Sequence, residues 1–194
     1  MTWSMHTIGF LDLEDQEKAA TYFKRSYSLY TREPFNTWSE AIPGQPAAGN
    51  FITGAGGFLQ SVINGYGGIR LNFDNLIITK SYLPPESTKL TLNGIEYIGN
   101  IFRLEITSSW KYLTLITNNT LQQIQVFVDG NEQGVLTSYR DSPLQVPANS
   151  EITLKPLNKF GESKGCEMKE TIVGQKIEHQ PVEFVDNEWI LGSN

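Results

Sequence analysis

Cysteine is almost missing from this 194-residue chain: Cys166 stands alone, so no internal disulfide framework can form. Histidine is nearly as scarce. His6 and His179 lie far apart and neither has a second ligand at metal-binding spacing, so no metal site is expected. No run of apolar residues approaches the roughly 20 that a membrane-spanning helix needs. The opening MTWSMHTIGF has neither a basic region nor a long apolar core, so it does not read as a signal peptide. A cytoplasmic location is the expectation, although the chain equally reads as the later part of a longer protein. Basic runs are lacking too. With 15 Lys+Arg against 21 Asp+Glu the net charge is −6, which argues against a nucleic-acid or anionic-membrane partner. Motifs for covalent catalysis and phosphate binding are missing as well. Ser4, Ser39 and His6 do not form a nucleophile elbow, and Gly54, Gly56 and Gly57 lack the Lys-Ser/Thr of a phosphate loop. No cofactor is expected.

What is present divides by period. Trp3, Met5, Ile8, Leu11 and Leu13 recur at mostly helical spacing over Thr2 to Glu14. Asp15 has the chemistry of an N-cap, although Lys18 does not complete a capping box. A second helix is predicted over Gln16 to Tyr30, with Ala19, Ala20, Phe23, Tyr27 and Tyr30 on one face, and Pro34 stops it. The pair predicts an αα-hairpin that would leave an apolar face uncovered if it stood alone. After a Pro/Gly loop, Asn50 opens a third helical segment. It is rich in small residues and carries Phe58, Leu59, Val62 and Ile63 on a face. Each helical glycine costs about 1 kcal/mol of propensity, so a tightly packed helix is expected.

Beyond Gly68 the period becomes two. Ile69, Leu71 and Phe73 alternate with polar residues, then Leu76 to Ile78 follow an Asp74-Asn75 turn. Short strands are predicted at Leu90 to Leu92, Ile95 to Ile98, Ile101 to Thr107, Tyr112 to Thr117, Gln123 to Val128, Val135-Leu136 and Glu151 to Leu154. Asn93-Gly94 and Asp129-Gly130 read as hairpin turns. Strands at this spacing predict an antiparallel β-sandwich. From Asn158 the composition turns polar, and Val182 to Ile190 reads as one late strand. Asn118-Asn119-Thr120 matches a glycosylation sequon but reads as polar loop. The fold class expected is α+β, with helices in 1–67, a sandwich in 68–158 and a polar tail in 159–194.

Three segments, TWSM near the start, PFNTWSE, and NFITGAGGFLQSVINGYGGIRL, resemble the end of the catalytic domain of family-65 glycoside hydrolases, in their acid trehalase-like branch. The resemblance runs from Met1 to about Leu71 and weakens through the strands. It implies that the helices are the end of an (α/α)6 barrel, most of which lies outside this sequence. It implies an inverting α-glucosidase in which the glutamate of the WSE segment, Glu40, is the general base. The general acid would lie upstream. The implied substrate is a terminal α-glucosyl unit, on glucosylgalactosyl-hydroxylysine of collagen or in a kojibiose-like α-1,2 disaccharide. Phosphorolytic members resemble EGIHxGAMAG where this chain has AGNFITGAGG. Phe51 then stands at the histidine position, and its apolar ring cannot donate to phosphate, so water is the expected nucleophile. Trp38 is a candidate for stacking on a sugar face and equally for a place in the helical core. The alternatives are a non-catalytic carbohydrate- or partner-binding sandwich, with Trp110 and Tyr112 on one strand face, or an inactive truncated fragment.

Overall fold

A computed structural model describes residues 2–119, 121–136 and 143–157. The expected tail, with Cys166, His179 and the late strand, lies outside the described residues. Helix α1 (Thr2–Asp12) is joined by a short turn to α2 (Gln16–Tyr27). Asp15 caps α2 as expected: its carboxylate accepts from the Lys18 amide at 3.0 Å and pairs with the Lys18 ammonium at 2.7 Å. Helix α2 ends at Tyr27 rather than Tyr30, because Thr31–Arg32 (β1) pairs with Thr37–Trp38 (β2) in a small hairpin. The buried face of α1 also departs from expectation. Ser4, Thr7 and Leu11 point inward, while Met5 is 48% and Leu13 75% exposed. Two small hydroxyl residues let the helices approach closely, and Thr7 donates to the Trp3 carbonyl at 3.0 Å, so its buried oxygen is satisfied.

Helix α3 (Ile52–Gln60) runs directly into a π-helical turn, Ser61–Tyr66. Together α1, α2 and this segment bury Leu11, Ala19, Phe23 and Tyr66. The chain then leaves the helices through Gly67-Gly68. A Cβ at Gly67 would sit 2.6 Å from the Ile63 carbonyl oxygen and 2.8 Å from Leu92. Gly68 has φ +71°, a conformation that favours glycine.

Strands β3 (Ile69–Leu71), β4 (Leu76–Ile78), β5 (Lys89–Tyr97), β6 (Asn100–Thr107), β7 (Trp110–Thr117), β8 (Ile124–Val128), β9 (Asn131–Val135), β10 (Leu144–Pro147) and β11 (Ile152–Pro156) follow. They form an antiparallel four-stranded sheet, β10-β7-β6-β5, and an antiparallel five-stranded sheet, β3-β4-β11-β8-β9. Phe102, Leu104, Ile106, Leu113, Ile152 and Leu154 are buried in a shared core, as the alternation predicts. The predicted turn at Asp129-Gly130 is present, with both residues at positive φ. The one predicted at Asn93-Gly94 is not. Gly94 uses its positive φ in a bulge, β5 continues to Tyr97, and the reversal falls at Ile98-Gly99. The alternation at Ile69, Leu71 and Phe73 also fails, because β3 stops at Leu71 and Phe73 is fully exposed.

Helices and sheets are fastened to one another by polar contacts. Arg70 pairs with Asp12 at 2.7 Å, and Lys80 pairs with Glu14. The Tyr82 amide donates to the Tyr66 carbonyl at 2.9 Å. Beneath this seam Lys111 is fully buried and donates to the carbonyls of Thr79, at 2.7 Å, and Ser150. Burial pushes its ammonium down to about 8, partly opposed by the nearby charges of Asp129 and Glu151. No helix of the described residues is long and apolar enough to cross a membrane.

Candidate active site

The PFNTWSE segment forms the β1–β2 hairpin and the first residues after it. The chain there is held by backbone bonds. The Ser39 amide donates to the Tyr30 carbonyl at 2.7 Å, the Phe51 amide to the Trp38 carbonyl at 2.6 Å, and the Glu40 amide to the Ala48 carbonyl at 3.1 Å. Arg32 reaches across to donate to the Ala41 carbonyl at 2.6 Å, and the Ser39 hydroxyl donates to the same oxygen at 3.0 Å. These bonds set Glu40 beside the first turn of α3. The role of Arg32 was not legible in the sequence, because hairpin strands of two residues leave no periodic signal.

Glu40 is solvent-exposed and borders a small cavity walled by Trp3, Ser4, Trp38, Phe51 and Gly54. Its volume is about 20 Å³, room for one water and far too small for a sugar ring. Among the described residues Glu40 is the one carboxylate on this wall. Trp38 is half-buried. One side of its ring lies 5.1 Å, centroid to centroid, from Phe58 in the helical core, and its indole N–H donates to the Ser26 carbonyl at 3.3 Å. The indole thus serves the core and borders the cavity at once. Gly54 is required by this packing, since a Cβ there would stand 2.8 Å from Trp38 Cδ1 and 2.9 Å from Phe51 Cδ1. Phe51, half-buried at the N-terminus of α3, brings an apolar edge to the cavity.

The remaining candidates lie elsewhere. His6 is exposed, stacks on Tyr22 at 5.1 Å and donates from Nδ1 to the Thr2 carbonyl at 2.7 Å, a structural arrangement. Among the described residues no group of three or more His, Cys, Asp or Glu side chains is placed to hold a metal ion. Trp110 and Tyr112 lie on β7, in the four-stranded sheet.

No protein-family model matches the chain. The protein-glucosylgalactosylhydroxylysine glucosidase of Dictyostelium discoideum is 40% identical over 115 residues, covering 59% of this chain and 15% of that protein. The chain is related to the family-65 glycoside hydrolases. The kojibiose hydrolase of Flavobacterium johnsoniae is 38% identical over 96 residues, covering 49% of this chain and 14% of that one. These relatives are glycosidases by name. Among solved structures, a putative kojibiose phosphorylase from human microbiome superposes with a TM-score of 0.53 at 14% identity, over 75% of this chain and 19% of that one. That likeness concerns the fold alone. The chain spans about 15% of the length of the curated relatives it matches.

Proposed function

We propose that this chain carries the base half of an inverting α-glucosidase. Its helices are one end of an (α/α)6 barrel, and its substrate is a terminal α-glucosyl unit such as that of glucosylgalactosyl-hydroxylysine or kojibiose. The observation that carries the reading is a single carboxylate, Glu40, at the rim of a cavity walled by Trp38 and Phe51. An inverting glycosidase needs two carboxyl groups about 6.5–9.5 Å apart, one on each side of the scissile bond. Glu40 accepts a proton from water as the water oxygen bonds to the anomeric carbon. The bond from that carbon to the leaving oxygen breaks, and an acid on another part of the barrel gives that oxygen a proton. The α-linkage yields β-glucose and the free acceptor hydroxyl. Phe51 supports water over phosphate as the nucleophile, since its ring offers no hydrogen bond to an anion.

The uncovered helix faces support the barrel. Ile52 is 73%, Leu59 56% and Ile63 39% exposed along one side of α3 and its π-helical continuation. A stripe of that kind is ordinarily covered by neighbouring helices. The test has two arms. The 194-residue chain alone should release no glucose from kojibiose or glucosylgalactosyl-hydroxylysine, because the acid is absent; turnover by it would overturn the division of roles. In a complete barrel enzyme bearing this sequence, Glu40→Gln should lower kcat by about 10²-fold or more with KM little changed. A variant of undiminished kcat would remove Glu40 from the chemistry.

A further inference from the structure

The outer face of the four-stranded sheet holds a second concave surface. Phe102, Leu104 and Ile106 face the core, so Ile101, Arg103 and Glu105 face outward. Register sets Tyr112 beside Glu105, and Thr114 beside Arg103. The groove between these strands measures about 540 Å³ and is lined by Asn93, Ile101, Arg103, Glu105, Thr114 and Ile116. Its volume falls within the ordinary range for small-ligand sites. Glu105 pairs with Lys89 at 2.6 Å and Arg103 at 3.1 Å, and Lys89 foremost, with Arg103, holds its carboxyl below the usual range. Arg103 Nε is buried and donates to nothing among the described residues.

The chemistry of the wall selects the ligand. Cationic and anionic groups stand side by side, so a charged ligand of either sign meets repulsion from one of them. A guanidinium beside a carboxylate offers N–H donors and oxygen acceptors at adjacent points. Two neighbouring hydroxyls, each of which both donates and accepts, match that pattern. Ile101 and Ile116 supply apolar surface for C–H groups.

We infer that this groove binds a neutral oligosaccharide, with Arg103 and Glu105 holding a pair of vicinal hydroxyls. The site lies on the sandwich and does not depend on Glu40. The test is an NMR titration of the full 194-residue chain with kojibiose and, separately, with inorganic phosphate. Kojibiose at millimolar concentrations should shift the backbone amides of Ile101, Thr114 and Ile116. Arg103→Ala and Glu105→Gln should each weaken that binding about tenfold, while Glu40→Gln leaves it unchanged. Two independent substitutions at outward-facing strand positions guard against one misfolded variant. No shift at those amides, equal shifts with phosphate, or full binding in both groove variants would overturn the inference. Kojibiose shifts that fall on the amides around Glu40 and persist in both groove variants would remove the groove and leave the reading of Glu40 standing.

Discussion

Lys111 is the residue whose chemistry departs furthest from what its type suggests. In an alternating strand it occupies an inward position with no apolar signal, and nothing in the sequence marks it as buried. The structure explains its tolerance: its ammonium donates to two carbonyls, Thr79 and Ser150, at the seam between helices and sheets. The energetic consequence has a definite sign. Below about pH 8 the folded and unfolded chains both carry the charge, and this group adds no slope to stability. From about 8 up to the ordinary lysine value of 10.5, the unfolded chain binds a proton that the folded chain has lost. Stability therefore rises with pH across that window, by up to about 1.4 kcal/mol per pH unit. Asp129 and Glu151, the charges facing it, reduce the effect without reversing it. Tyr66, Tyr82 and Tyr97, each raised chiefly by burial, act in the opposite direction only above pH 10. Urea unfolding of the wild type and Lys111→Met at pH 7.5, 9 and 10 should show the wild type gaining on the variant as pH rises. Parallel pH profiles would show that Lys111 stays charged in the folded protein.

At the scale of elements, legibility tracked whether the deciding interaction was local. The Asp15 cap, the Asp129-Gly130 turn and the alternation in β6 and β7 rest on neighbours in sequence, and all were readable. The Asn93-Gly94 signal misled because glycine at positive φ serves a bulge as well as a turn, and pairing with β6 decided between them. The buried side of α1 was misread because Ser4 and Thr7 are chosen for close approach rather than for hydrophobicity. Gly54 belongs with these tertiary cases. Gly54→Ala would set a methyl group 2.8 Å from Trp38 and 2.9 Å from Phe51, forcing both rings to move. Overpacking of this kind costs about 1–3 kcal/mol, against which the helix-propensity gain of about 1 kcal/mol is a partial offset. The variant should show altered near-ultraviolet dichroism from Trp38 and a lower unfolding midpoint. Gly56→Ala, where a Cβ meets nothing within 4 Å, should leave the spectrum unchanged and raise the midpoint slightly.

For the whole molecule, the question is how a chain with two good cores also shows so much apolar helix surface. Among the described residues, fifteen buried hydrophobic side chains close the sandwich, whereas four close the helical part. The sequence made the candidate site legible as a segment, PFNTWSE followed by a small-residue helix. It did not reveal that the described residues enclose space for only a single water there, because enclosure depends on walls set by the rest of the fold. The same shortage of walls leaves Met5, Leu13, Ile52, Leu59 and Ile63 open to solvent. Burying one such side chain is worth about 1.5–3 kcal/mol, so the helical face favours association with whatever apolar surface it meets. Studied alone, the 194-residue chain should self-associate with rising concentration in analytical ultracentrifugation. The double variant Ile52→Lys and Leu59→Lys should shift it towards monomer while leaving the folded dichroism spectrum intact, because both positions are exposed. A wild-type chain that stays monomeric at every concentration would show that these faces are too dispersed to act as an interface. Their exposure would then give no physical support to a covering set of barrel helices.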